Sequence, residues 1–144
     1  MRRTSAAPVG TDVPLAGWGV RAVGAVADAV VVGLATYGID LVSHVHGKTG
    51  YAYLDLAVSF VYSFALVGFW GHTLGMAFLR LYAVDALEGR TPIGPARAAV
   101  RSLVAGLLTV VPFAPFLDLL WPLWDPRNQT IHDKAAGTVV LRHG

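Results

Sequence analysis

Two long apolar stretches fill most of the first half of the chain. The first covers Trp18–Val42, and its central part, Ala22–Ile39, carries a single charge, Asp28. The second covers Tyr51–Phe69, with Asp55 near its start. Because a helix needs about 20 apolar residues to cross a bilayer core, the pattern predicts two transmembrane helices. We expect the first to be retained rather than cleaved, since its apolar run is too long for a signal peptide.

The pattern changes in the middle of the chain, between Gly71 and Arg97. Apolar residues there recur at helical spacing with charges between them: Leu74, Ala77, Phe78, Leu81 and Val84, interleaved with Arg80, Asp85 and Glu88. This spacing predicts an amphipathic helix over Leu74–Leu87 that lies on the membrane surface. Glycines and prolines from Gly89 to Pro95 are expected to end it.

A third apolar stretch, Ser102–Trp124, contains one charge, Asp118, and three prolines, Pro112, Pro115 and Pro122. Proline inside a helix removes a backbone hydrogen bond and kinks the helix. The stretch is therefore predicted to be either a third span or a re-entrant hairpin that turns between the first two prolines.

Positive charges distinguish the two sides of the predicted membrane domain. They lie at the start of the chain, after the second span and in the C-terminal tail: Arg2, Arg3, Arg21, Arg80, Arg90, Arg97, Arg101, Arg127, Lys134 and Arg142. The connection between the first two spans holds only Lys48. The positive-inside rule therefore places both termini in the cytoplasm. Three full crossings would put the C-terminal tail outside, so we favour the hairpin.

The composition strengthens the membrane assignment and excludes several functional classes. The 144 residues are 55% hydrophobic and 14% charged, whereas soluble domains average about 25% charged. We expect a flexible tail over residues 1–15 and one compact membrane domain over residues 16–144. Cysteine and basic runs are absent from the sequence, so we expect no thiolate metal site and no nucleic-acid binding. No residue pattern favours nucleophilic catalysis, so we predict neither an enzyme nor a cofactor. His44-x-His46 alone is too small a ligand set to predict a metal site.

Asp28 is the one charge well inside a clear span, and Arg21 lies seven positions before it. The two share one helix face, roughly 10 Å apart along the axis. An ionisable group in a span costs roughly 2.5–3.5 kcal/mol and normally finds a partner or water. The candidate partners are Arg21, Arg101 and a cation of the cytoplasmic tail. Asp28 is thus either a proton- or cation-binding carboxylate or half of a structural ion pair. Asp118, near the end of a broken span, is expected to be interfacial and solvated.

The C-terminal tail, Asp125–Val140, resembles the closing motif of the RDD family of small bacterial membrane proteins. The resemblance extends over about Ala16–Leu141 and includes Thr73-Leu-Gly75 and Ala99-Val-Arg101 in the middle of the chain. Met76 departs from the family pattern, because relatives often have a basic residue after Thr-Leu-Gly.

The RDD family is named for one arginine and two aspartates, which by resemblance fall on Arg21, Asp28 and Asp133. With Arg101 these residues form a candidate polar network. The predicted fold is an all-α integral membrane protein with two full transmembrane helices, the amphipathic surface helix and the proline-broken third segment. The resemblance implies a multi-pass protein of the bacterial inner membrane.

Two hypotheses for function remain open. Transport of an unidentified ligand, and in some members cation/proton antiport, is associated with the resembled family. The first hypothesis is a cation- or proton-coupled transport component with Asp28 as the titrating group, tuned by Arg21, and with Asp133 organising Arg97 or Arg101. The second is a non-catalytic membrane scaffold or partner subunit whose Arg/Asp network is structural. The expected partners are the lipid bilayer, a cation or proton, and a second copy or another membrane protein.

Overall fold

The computed structural model describes residues 12–44 and 47–144. These residues form six α-helices, a short 3-10 turn and a two-stranded sheet. In chain order they are α1 (Trp18–Ser43), α2 (Lys48–Trp70), α3 (Leu74–Phe78), β1 (Leu81–Asp85), α4 (Pro95–Val110), α5 (Ala114–Leu120), the turn Trp121–Leu123, α6 (Ile131–Ala136) and β2 (Thr138–Arg142).

The prediction of two long apolar helices is confirmed. Helix α1 has 26 residues with a mean hydropathy of 1.8, and α2 has 23 residues with a mean hydropathy of 1.6. Large apolar side chains point outward along α1, among them Val26, which is 64% exposed, and Leu34, which is 68% exposed. Such a surface is stable in lipid rather than in water.

The predicted amphipathic helix over Leu74–Leu87 is wrong. Only α3 is helical there, and it begins at Thr73, whose hydroxyl accepts a hydrogen bond from Met76 N at 3.2 Å. The chain then reverses at Arg80, which has a left-handed φ of 56°, and continues as β1. The strand partner of β1 lies far along the chain, so local spacing could not distinguish a helix from a strand in this apolar run. The fold is therefore mostly helical but not all-α.

The sheet is antiparallel and pairs Leu81 with Arg142 at one end and Asp85 with Thr138 at the other. Residues before α1 add to it: Leu15 pairs with Leu141, and the amide of Ala16 donates to Val140 O at 2.8 Å. The last residues assigned to the tail are therefore packed against β2. Residues 1–11 of that tail lie outside the described residues.

The third apolar stretch turns back on itself at Val111–Phe113. Pro112 disfavours a helical conformation at Val111, which is extended with ψ of 124°. Phe113 is left-handed with φ of 65°, and Pro115 occupies the first turn of α5. Helix α4 has 16 residues and α5 has 7, so at about 1.5 Å per residue neither arm reaches the roughly 30 Å of a bilayer core.

Candidate functional site

The centre of the polar region is Asp133, at the start of the short helix α6. Its amide donates to the Thr130 hydroxyl at 3.2 Å, and its own Oδ2 accepts from Thr130 N at 3.2 Å. This reciprocal arrangement is a capping box, and the spacing Thr-x-x-Asp supplies both halves. The box fixes the carboxylate in a fully buried position, since the side chain of Asp133 is 0% exposed.

Two arginines from different helices converge on this carboxylate. Arg21 of α1 pairs with Oδ2 through Nη2, and Arg101 of α4 donates from Nε to Oδ1 at 2.9 Å. Both arginine side chains are also buried. Burial alone would raise the pKa of Asp133, but the positive charges of Arg21 and Arg101 outweigh it and hold that pKa well below its usual range. The ionised Asp133 therefore ties α1, α4 and α6 together.

His132 lies beside this cluster and joins it to α5. Its Nδ1 lies 2.6 Å from Oδ2 of Asp118, and its backbone amide donates to Oδ1 of the same residue at 3.1 Å. The other ring nitrogen, Nε2, lies 3.3 Å from Nη2 of Arg101. The ring thus lies between a carboxylate, which accepts hydrogen bonds, and a guanidinium, which donates them. The expectation that Asp118 is interfacial and solvated is wrong, since the residue is 9% exposed.

Asp28 does not join the arginines. Its Oδ1 accepts from the Tyr62 hydroxyl at 2.7 Å and from the Gly75 amide at 2.8 Å, and its Oδ2 accepts from the Thr73 hydroxyl at 2.5 Å. We expected a cationic partner for Asp28, and this expectation is wrong: among the described residues, the hydrogen bonds to its carboxylate all come from neutral donors. Through these three neutral donors Asp28 anchors the start of α3 against α1 and α2.

The contact between α3 and Asp28 explains why the third residue of the Thr73-Leu-Gly75 motif is a glycine. A Cβ atom on Gly75 would lie 2.3 Å from the carbonyl oxygen of Gly24 and 2.9 Å from the carboxyl carbon of Asp28. No side chain fits in that space, so Gly75 permits the backbone of α3 to reach the carboxylate. The next residue, Met76, is buried in the apolar core.

A cavity of about 520 Å³ separates the two groups of charges. It is bounded by α1 to α5, by the start of α6 and by one residue of each strand. Its polar lining comprises Arg21, Asp28, Asp55, Ser59, Tyr62, Ser63, Thr73, Arg101, Thr109, Asp118, Thr130 and His132. The cavity thus brings together three of the predicted site residues, Arg21, Asp28 and Arg101, while Asp133 lies behind its two arginines.

Asp55 is a further lining residue to which the sequence assigned no role. It accepts a hydrogen bond from the Thr36 hydroxyl at 2.9 Å, which links α2 to α1. Thr36 is completely buried in the second half of α1. The only hint of this contact in the sequence was that one predicted span contains the Thr36 hydroxyl and the other contains the Asp55 carboxylate.

Arg97, the other cation considered for Asp133, belongs to the sheet instead. It pairs with Asp85 at 2.6 Å and donates to Ala136 O at 2.8 Å. Burial would raise the pKa of Asp85, but donors from the Leu87 and Glu88 backbone and the charge of Arg97 lower it overall. Arg97 therefore clamps β1 to the end of α6.

Within the described ranges, no group of three or more His, Asp or Glu side chains is placed to hold a metal ion. The paired histidine motif cannot be assessed as a unit, because His46 lies outside the described residues.

These features define a small helical membrane protein with a buried Arg–Asp–Arg centre at one end and a polar cavity between its helices. The family model described as the RDD family matches residues 15–137. The chain belongs to the RDD family.

Two curated relatives are similar over part of the chain. Both are named "Proline-rich antigen homolog" and come from Mycobacterium tuberculosis, strains CDC 1551 / Oshkosh and ATCC 25618 / H37Rv. Each is 34% identical over 71 residues, which cover 49% of this chain and 28% of the relative. The match thus spans little more than a quarter of the length of these relatives. No solved structure matches the chain.

Proposed function

We propose that this chain is a component of a cation- or proton-coupled transport process in the bacterial inner membrane. The observation that carries the proposal is an imbalance of charge inside the helix bundle. The ionic groups around Asp133 are paired with one another, whereas Asp28 and Asp55 accept hydrogen bonds from neutral donors in the described part of the chain. A carboxylate without a cationic partner in a membrane interior is costly, and uptake of a proton or cation neutralises it.

The cavity gives such an ion a place to bind. Asp28 and Asp55 line it together with serine, threonine and tyrosine hydroxyls, while two apolar helices carry both residues. Polar lining inside helices of this length is typical of ion pathways. Arg21 and Arg101 border the same cavity and set the electrostatic potential at its end.

In the proposed topology, α1 and α2 cross the membrane and both termini lie in the cytoplasm. The arginine-rich segments support this orientation because they gather at the start of α1, around the sheet and at α6, which contact one another. The arms α4 and α5 form a re-entrant hairpin, since Arg101 and Asp118 both return to His132.

A single copy with two spans makes a poor alternating-access transporter. Transporters commonly place their site between paired repeats. The proposal therefore includes a second copy of the chain or another membrane protein as partner, in contact with the surrounding lipid.

The test is flux in proteoliposomes that carry the purified full chain and a pH-sensitive dye. An imposed Na⁺ or K⁺ gradient should drive a pH change with the unaltered protein and none with Asp28→Asn. The matched control is Asp12→Asn, which alters an exposed carboxylate before α1 and should leave the flux unchanged. Equal flux in the protein and in Asp28→Asn would contradict a role for Asp28.

A second candidate function is a non-catalytic scaffold or partner subunit. It is favoured by the three donors that anchor α3 on Asp28 and by the complete pairing of Asp133. In that case Asp28→Asn weakens assembly, and neither protein supports flux. Neither proposal gives the chain an enzymatic activity.

A further inference from the structure

We propose that the cavity beside Asp28 binds a lipid-soluble cation, namely a protonated amine with an apolar body. This amine enters from the bilayer between α1 and α5 and pairs with Asp28. The inference names a substrate class for the proposed function, and it rests on that function only for the claim that the bound amine is transported.

The cavity opens on the side where α1 faces α5. Helix α1 packs mainly against α2 and α3, while α4 packs mainly against α2, α5 and α6. Helix α2 therefore closes one side of the cavity, between α1 and the α4–α5 hairpin. On the other side, Ala25 and Ala29 of α1 and Pro115 of α5 line the cavity and are also exposed. These three residues mark the mouth of the cavity in the described part of the chain.

The mouth lies at the depth of lipid chains when α1 crosses the membrane as proposed. Ala25 and Ala29 follow Trp18 by seven and eleven residues. They therefore lie roughly 10 and 16 Å along α1 from its start, within a bilayer core of about 30 Å. At the start of α1, the indole Nε1 of Trp18 donates to Leu119 O at 2.9 Å and joins α1 to α5. A molecule that reaches Asp28 through the mouth thus comes from the hydrocarbon core, so it must be lipid-soluble.

Asp28 lies beside this mouth and has an acceptor position to spare. Ala25, Asp28, Ala29 and Val32 all line the cavity, since their spacing puts them on one face of α1. An ionised carboxylate has about four lone-pair sites, and the hydrogen bonds described for Asp28 use three. A protonated amine donates to a carboxylate more strongly than a neutral donor does. The amine thus supplies the cationic partner that Asp28 lacks among the described residues.

The charges around the cavity favour a cation over an anion. Arg21 and Arg101 line it, but both pair with the buried carboxylate of Asp133. An anion such as the phosphate of a lipid headgroup would have to compete with that carboxylate for the two guanidinium groups. It would also meet the three aspartates of the lining, Asp28, Asp55 and Asp118.

The size and the apolar walls of the cavity suit the body of such an amine. Its volume of about 520 Å³ lies within the roughly 300–1,000 Å³ of small-molecule sites. Such sites combine apolar walls with a few polar groups that fix the orientation of the ligand. The apolar walls here include Ala25, Ala29, Val32, Ala105, Leu108 and Leu119.

The experiment measures equilibrium binding of radioactive dodecylamine to the full chain in nanodiscs, after subtraction of the binding to nanodiscs without protein. At pH 7 this probe is protonated, because an alkyl amine resembles the lysine side chain, whose pKa is about 10.4. We expect saturable binding that unlabelled dodecylamine displaces and that equal concentrations of dodecanol or dodecyl phosphate do not. Stronger displacement by dodecyl phosphate would mean that the arginines hold a phosphate headgroup, and it would overturn the assignment.

Two substitutions test the charged partner and the mouth separately. Asp28→Asn should weaken dodecylamine binding at least about tenfold, the lower end of what a hydrogen bond to a charged group contributes. Ala29→Phe should remove the saturable binding, because its ring fills the space beside Asp28. The matched control is Ala35→Phe, which adds the same ring to an exposed residue of α1 outside the cavity lining and should bind as the unaltered protein does. Since Ala29→Phe leaves the carboxylate of Asp28 in place, it keeps the test decisive if Asp28→Asn fails to fold.

Three further results would overturn the site: no saturable binding by the unaltered protein, unchanged binding in both Asp28→Asn and Ala29→Phe, or an equal loss in Ala35→Phe. Flux in proteoliposomes is a separate readout. Amine binding that depends on Asp28 without flux leaves the site standing and ends the transport proposal. Flux that depends on Asp28 without amine binding does the reverse.

Discussion

Asp133 and Asp28 are both predicted site residues, but their surroundings differ in kind. Asp133 is completely buried between two arginines, whose opposite charges compensate it. Asp28 is half-buried and bound by two hydroxyls and one backbone amide, all of them neutral. The first arrangement supplies two counter-charges to its carboxylate, while the second supplies only neutral donors beside a cavity. The comparison separates a residue that ties three helices together from the residue to which we assign the proposed ion chemistry.

The largest expected effect comes from removing the compensated charge. Asp133→Asn leaves Arg21 and Arg101 buried without a counter-charge, and breaking such a pair costs about 3–5 kcal/mol. We expect the free energy of unfolding, measured by titration with a denaturing detergent, to fall by that amount. Asp12→Asn is the control and should lie within about 0.5 kcal/mol of the unaltered protein. A similarly small change for Asp133→Asn would mean that the two arginines do not depend on this carboxylate.

A smaller loss is expected where Asp28 meets the backbone of α3. Gly75→Ala forces a methyl group to within 2.3 Å of the Gly24 carbonyl, and overpacking of this kind costs about 1–3 kcal/mol. The matched substitution is Gly33→Ala on α1, where no atom lies within 4 Å of the new Cβ. We expect only Gly75→Ala to lower the melting temperature. Equal melting temperatures would show that α3 is free to move away from Asp28.

A third pair of substitutions sharpens the comparison. Thr73 caps α3 and Thr130 caps α6, and each hydroxyl accepts a hydrogen bond from the backbone amide three residues further on. Loss of a threonine cap costs about 0.5–2 kcal/mol, so Thr73→Val and Thr130→Val should destabilise to a similar extent. Only Thr73 also donates to Asp28. In the proteoliposome assay we therefore expect Thr73→Val to change the flux more than Thr130→Val does. Equal changes would mean that Asp28 acts through the stability of the fold alone.

The parts of the fold that follow from local physics could be predicted from the sequence. A bilayer imposes a minimum length on its helices, so α1 and α2 are visible as apolar runs. The prolines likewise mark the turn at Val111–Phe113, because their ring geometry restricts the preceding residue. Strand β1 could not be found this way, since the strand that pairs with it is separated from it by α4, α5 and α6.

The candidate site shows the same division. Family resemblance pointed to Arg21, Asp28 and Asp133 but could not show that only Arg21 and Asp133 meet. The pairing of Asp118 with His132 joins α5 to α6 across 14 residues. A short turn and a loop lie between the two helices, so the period of a single helix or strand could not indicate this pair. By contrast, Asp55, Ser59 and Ser63, which line the cavity from α2, follow one another at intervals of four residues. The sequence alone contained that helical period.

The smallest expected effect is the response of the Asp133 centre to pH. Because the pKa of Asp133 is lowered in the folded protein, its stabilising contribution is complete above the ordinary aspartate pKa of about 3.9 and is lost as the pH falls toward the folded value. Between about pH 8 and pH 5 the group is ionised in both states, so the melting temperature should not change on its account. Below about pH 4 the unaltered protein should lose stability more steeply than Asp133→Asn.

Some acid sensitivity should remain in the variant, because the pKa values of Asp85 and Asp125 are also lowered. Parallel acid curves for the two proteins would show that the charge of Asp133 does not stabilise the fold.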